Sequence, residues 1–148
     1  MAFVSELRHV IGAAAAIAAT AVLVWFGTGL EPFWPLLWFA PLPVLLYAGR
    51  SRWWSAAGVA FTGWLVGELN LWGYMHRSLE VPLSITIGVV AGFALMFTIA
   101  VLLYRSLLRR GAAWYALLAF PAAWVAFEYL LNVAWGSTGR PSISPTPS

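Results

Sequence analysis

The sequence has no cysteine, no lysine and no aspartate, and only 9% of its 148 residues are charged. Without cysteine it holds no disulfide, no thiolate nucleophile and no Cys-ligated metal. Its histidines are only two, His9 and His76, set far apart and on opposite sides of any membrane the chain crosses. Three or four converging metal donors cannot be read from such a set, no Gly-rich loop follows a strand to cradle a phosphate, and no cofactor is expected. Ser84 and Thr86 have no base near them in sequence and are expected to bond the preceding turn of their own helix. A soluble domain covers its surface with about a quarter charged residues. This chain cannot do so unless lipid covers it instead.

What is present is apolar: 62% hydrophobic residues and ten Trp, with a mean hydropathy of +0.84. The pattern predicts an all-α, polytopic membrane protein with about five transmembrane helices. Residues 1–9 form a short polar start. Residues 10–27 are an uncharged run longer than the roughly 7–15 apolar residues of a signal peptide, and are expected to stay as a first spanning helix. Residues 33–48 are shorter and carry Pro35, Pro41 and Pro43, which predicts a kinked span in preference to a re-entrant pair of short helices. Residues 56–75 contain Gly63 and Gly67, and residues 81–104 contain Gly88 and Gly92; each pair makes a small-residue ridge suited to close packing. Residues 112–135 complete the spans, making 10–135 one helical membrane domain. Residues 136–148, GSTGRPSISPTPS, have too little apolar area to repay ordering and are expected to be a disordered tail.

Orientation follows from the arginines, because all eight basic residues are Arg and all five acidic ones are Glu. With the N-terminus cytoplasmic and the C-terminus outside, Arg8, Arg50, Arg52, Arg105, Arg109 and Arg110 lie inside, and only Arg77 and Arg140 lie outside, as the positive-inside rule favours. Trp25, Trp34, Trp72, Tyr74 and Trp135 then fall near the outer boundary, and Tyr47, Trp53, Trp54, Tyr104 and Trp114 near the inner one. A net charge of +3 placed at the ends of apolar runs reads as membrane orientation and not as nucleic-acid binding.

Four polar residues interrupt the spans: Glu68 and Asn70 in the third, Glu128 and Asn132 in the fifth. A carboxyl group in hydrocarbon is costly unless a partner or a wet cavity receives it. At a rise of about 1.5 Å per residue, both glutamates sit roughly 10 Å below the outer ends of their helices. Asn132 follows Glu128 by one turn and shares its face, whereas Asn70 is turned well away from Glu68. These residues mark a possible intramembrane polar site; the competing reading is that the glutamates only fasten helices together.

Three stretches resemble the N-terminal membrane region of apolipoprotein N-acyltransferase, a bacterial enzyme family that N-acylates lipoproteins. Phe33-Trp34-Pro35-Leu36-Leu37-Trp38-Phe39-Ala40-Pro41-Leu42-Pro43-Val44-Leu45-Leu46 is similar to the family's aromatic, proline-rich second helix. Gly63-Trp64-Leu65-Val66-Gly67-Glu68-Leu69-Asn70-Leu71-Trp72 is similar to its Gly-rich helix ending in a Trp motif. Pro121-Ala122-Ala123-Trp124-Val125-Ala126-Phe127-Glu128-Tyr129-Leu130 is similar to its Pro-x-x-Trp-x-x-x-Glu-aromatic-Leu stretch, after which the family usually has an arginine and this chain has Leu131. The resemblance implies a multi-pass protein of the bacterial inner membrane that contacts membrane lipids. Joined to a catalytic domain, it would help admit a phospholipid donor and a lipoprotein acceptor. The family's acyl transfer runs through a Glu-Lys-Cys triad in an extracytoplasmic nitrilase-like domain, and this chain has neither Lys nor Cys to match it. It is therefore expected to be a truncated or docking part that is inactive alone, since a thioester needs a thiol. A non-catalytic membrane scaffold or partner subunit is the alternative, and a small transporter a third.

Overall fold

In hydrocarbon a chain can satisfy its backbone polar groups only within itself, and long apolar runs do so as helices. A computed structural model describes residues 2–28, 32–77 and 82–138, and the regular structure among them is entirely helical. The helices are α1 (Ala2–Gly27), α2 (Pro35–Phe39), α3 (Leu42–Arg50), α4 (Trp53–Arg77), α5 (Leu83–Arg109) and α6 (Ala113–Thr138). Among the described residues, Glu6–Gly27 of α1, the whole of α5 and Ala113–Val133 of α6 are long and apolar enough to cross a membrane. The fold is an all-α, multi-pass membrane fold. The polar start belongs to α1, and the last helix continues through Thr138. The remainder of the expected tail, residues 139–148, lies outside the described residues, as do residues 29–31 and 78–81.

The proline-rich run is where the backbone departs most from a single helix. Pro41 and Pro43 have no N–H to donate to the preceding turn, and the helix is interrupted at Ala40 and Pro41, between α2 and α3. Both residues keep right-handed helical dihedrals (φ −55°, ψ −37° and φ −71°, ψ −26°), so the chain continues in the same sense across the break. At the break α1 ties in as well: the buried Thr20 hydroxyl donates to Ala40 O at 3.0 Å.

Alanines and valines, with few large side chains, make up much of the core: Ala16, Val24, Ala40, Val44, Ala48, Ala56, Val59, Ala60, Ala94 and Val101 surround Trp64 and Phe97. Helices in lipid associate through close packing more than through escape from water, which favours such small residues. Gly63 lies against Ile17 and Thr20, and Gly67 against Ala21 and Val24. Contacts that advance together along both helices mean that α1 and α4 run parallel. Between α1 and α3 the order reverses, with Thr20 beside Ala40 and Gly12 beside Tyr47, so these two are antiparallel. Gly88 and Gly92, the second ridge, have no neighbouring atom within 4 Å of where a Cβ would stand.

The turn from α5 to α6 is short. Gly111 takes φ +77°, its N–H donates to Leu108 O, and the Ala112 N–H donates to Leu107 O. This is the paired closure by which a left-handed residue ends a helix. It sends α6 back along α5, against which it packs.

The other end of α3 is held by arginine. Ser51, the residue after α3, is buried, and its carbonyl accepts from Arg105 Nη2 at 2.8 Å and from Arg109 Nη2 at 3.1 Å. Cations suit the carbonyl end of a helix, and here one buried guanidinium and its neighbour tie α3 to α5. Arg105→Leu is expected to destabilise the protein by about 2 kcal/mol, the scale of a charge-assisted hydrogen bond. Arg109→Leu should cost less, because its side chain is exposed. Unfolding followed by thermal denaturation in detergent gives the ranking; equal costs, or none at Arg105, would contradict the clamp.

Candidate functional site

The same spacing occurs on two helices: Trp64 precedes Glu68 by four residues on α4, and Trp124 precedes Glu128 by four on α6. Four residues are about one helical turn, so each indole and carboxyl share a face. The two indoles meet, with centroids 5.1 Å apart and planes tilted by 53°. Phe97 of α5 stacks on Trp64 at 4.5 Å and meets Phe120 of α6 edge-on at 5.8 Å, while Phe120 stacks on Trp124 at 6.4 Å. Four aromatic rings from three helices thus fix where α4 and α6 stand on either side of α5. Offset and edge-on pairs are the arrangements that ring quadrupoles prefer.

The two glutamates differ in surroundings. Glu68 is 8% exposed, and its carboxyl lies near the Trp64 indole but outside hydrogen-bonding geometry, leaving the buried Trp64 Nε1 without a partner among the described residues. Glu128 is exposed, and its Oε1 accepts from Trp124 Nε1 at 2.9 Å. Asn132, one turn beyond, is exposed on the same helix. Asn70 faces away from α6: its Nδ2 donates to Trp25 O at 2.8 Å and Thr28 O at 2.9 Å. It thereby satisfies carbonyls that the end of α1 leaves without an intrahelical donor.

Of the four polar residues singled out in the sequence, the structure therefore places Asn70 against α1, Glu68 in the packed interior and Glu128 with Asn132 on the exposed side of α6. Among the described residues no hydrogen bond joins the two glutamates or links them to either asparagine. The aromatic cluster was not expected as a unit. The repeated Trp-x-x-x-Glu spacing was the available signal for it.

Chemically, the arrangement offers carboxyl groups and apolar walls. It has no nucleophile beside a base, and among the described residues no group of three or more His, Cys, Asp or Glu could hold a metal ion. Of the two carboxyl groups only that of Glu128 is open to a partner; Glu68 is enclosed.

No family model matches the chain, and no solved structure matches it significantly. Over 86 residues it is 38% identical to the apolipoprotein N-acyltransferase of Caulobacter vibrioides, a stretch that covers 55% of this chain but only 16% of that relative.

Proposed function

We propose that these 148 residues act as a membrane-embedded docking module of an N-acyltransferase-type system that modifies lipoproteins, with acyl transfer performed by groups outside them. The similarity to the Caulobacter enzyme carries this reading. The multi-pass helical architecture supports it, as does the lack of any cysteine in the sequence to form a thioester. In this reading the module lies in the bacterial inner membrane and helps bring a phospholipid donor and a lipoprotein acceptor to a catalytic domain. Glu128 and Asn132, on the exposed side of α6, are the polar groups placed to meet them, while Glu68 and Asn70 hold α4 from within the bundle.

A chimera tests the proposal. The matching segment of the Caulobacter enzyme would be replaced by this chain, and N-acylation of a lipoprotein peptide measured in membranes. The chimera should retain acylation well above a catalytically dead control. A chimera that is stably inserted but inactive would remove the acyltransferase reading.

One observation favours a scaffold or partner subunit instead. Only 6% of the apolar window of α6 is buried against the rest of the chain, compared with 39% for α5, and the exposed face includes Glu128. A carboxyl group on such a face calls for a partner. Retention of a specific membrane partner by a chain whose chimera is inactive would establish that second reading.

We further propose five spans, with the N-terminus cytoplasmic and the C-terminus outside. The packing directions gather Arg8, Arg50, Arg52, Arg105, Arg109 and Arg110 at one end of the bundle, which supports a cytoplasmic placement for that end. The native chain has no cysteine, so Arg50→Cys and Ser148→Cys can be labelled without background. An impermeant thiol reagent added outside should modify position 148 and spare position 50. Modification of both from outside is incompatible with this topology.

A further inference from the structure

At the arginine-rich end, α1 and α3 leave a groove between them of about 750 Å³. Its mouth carries Arg8, His9 and Arg50, and its wall is small and apolar, formed by Gly12, Ala16 and Pro43 among others. The wall is smooth because α1 presents glycine and alanine where larger side chains would fill the space. Tyr47 borders the groove and is fixed by a 2.6 Å hydrogen bond between its hydroxyl and that of Ser55 on α4.

We infer that this groove is a binding site for one anionic glycerophospholipid, with its phosphate between Arg8 and Arg50 and an acyl chain along the wall. Charge complementarity selects the occupant. Two guanidiniums, which cannot lose their charge, line the groove together with His9. The acidic residue nearest in sequence, Glu6, is two positions before Arg8 and so about 200° around the helix from it; it does not line the groove. A free anion would use the arginines and leave the apolar wall uncovered. A neutral lipid would use the wall and leave the arginines without a counter-charge. An acidic phospholipid uses both. The site stands at the opposite end of the bundle from the side to which α4 and α6 carry Glu68 and Glu128, and it does not depend on the acyltransferase reading.

Native mass spectrometry of the full chain, released from mild detergent after exchange with phosphatidylglycerol or phosphatidylcholine, reads out the site. One phosphatidylglycerol should be retained per chain, with a preference over phosphatidylcholine on the order of tenfold or more, since the two arginines meet a headgroup with net negative charge only in the former. Arg8→Gln with Arg50→Gln should bring retention down to the phosphatidylcholine level. Ala15→Leu with Ala19→Leu, which fills the groove without touching its charge, should lower retention of phosphatidylglycerol while circular dichroism shows the fold intact. Arg52→Gln with Arg110→Gln, outside the groove, should leave retention unchanged. The inference is overturned if both lipids are held equally, if the outer arginine pair matters as much as the inner one, or if the filled groove still retains phosphatidylglycerol. Displacement by millimolar inorganic phosphate as readily as by lipid would also overturn it, because the wall would then contribute nothing.

Discussion

Gly67→Val is expected to separate α1 from α4 and to lower the unfolding temperature more than any other single change on the glycine ridges. A Cβ at position 67 would stand 2.5 Å from Val24 Cβ, 2.7 Å from its Cγ1 and 3.1 Å from the Ala21 carbonyl oxygen. Two of these atoms belong to a stiff β-branched side chain and one to the backbone, so none can swing aside. Inserting groups into a packed interior costs typically 1–3 kcal/mol and occasionally more, and here the clash falls where two long parallel helices meet. The loss should reach about 3 kcal/mol. Gly63→Ala, with its nearest atom at 3.4 Å, should be tolerated far better. Gly92→Val is the control: nothing lies within 4 Å of its Cβ position, and its cost should be below about 1 kcal/mol, the scale of helix propensity. Thermal denaturation of the three variants in the same detergent decides the matter. Equal losses at positions 67 and 92 would mean that α1 and α4 are not packed as described.

The second large effect is expected at Phe97. Its side chain is fully buried and touches rings from both flanking helices, Trp64 of α4 and Phe120 of α6. Phe97→Ala should cost about 3–5 kcal/mol through lost contacts and the cavity left behind. It should also loosen the spacing between the two Trp-x-x-x-Glu turns. Glu68→Cys combined with Glu128→Cys gives a readout of that spacing: the yield of cross-linking by a short bifunctional thiol reagent should fall when Phe97→Ala is added. Phe97→Leu, which keeps most of the volume, should restore most of both stability and yield. A stability loss with an unchanged cross-link would show that the ring holds the core but does not position the glutamates.

Much of the helical architecture was legible in the sequence because long uncharged runs in lipid have one available backbone solution. Residues 56–75 read as a helix despite Glu68 and Asn70, and the helix extends over Trp53–Arg77. What the sequence could not rank were the faces. On a helix apolar all the way around, no contrast between polar and apolar residues marks which side meets protein and which meets lipid. Gly63–Gly67 and Gly88–Gly92 have the same spacing, yet one pair is pressed against α1 and the other has open space beside it. Glu68 and Glu128 likewise have matched depths along their helices, but one is enclosed and the other is on the outward side of α6. Depth is set by counting residues; enclosure is set by which neighbouring helix lies opposite. The proline-rich run shows a third kind of limit. Its prolines locate the interruption, but whether one bent rod or two segments results depends on the donors around it. The hydroxyl that meets the Ala40 carbonyl at the interruption comes from Thr20, twenty residues upstream.

The proposed five spans imply that the bilayer around this protein does not have one thickness. Residues 35–50, α2 and α3 with the break between them, extend about 24 Å at a helical rise, against a hydrocarbon slab of about 30 Å. The long helices beside them exceed that thickness and can tilt to fit. The short flank cannot lengthen, so as a spanning element it would draw the two leaflets toward each other on the side where α3 meets α1. Headgroups would lie deeper there than elsewhere around the perimeter, and lipids arriving at that flank would meet the protein already bent toward the midplane. Such a dimple, confined to one side, gives a protein of this size a preferred orientation toward thinner or more curved patches of membrane.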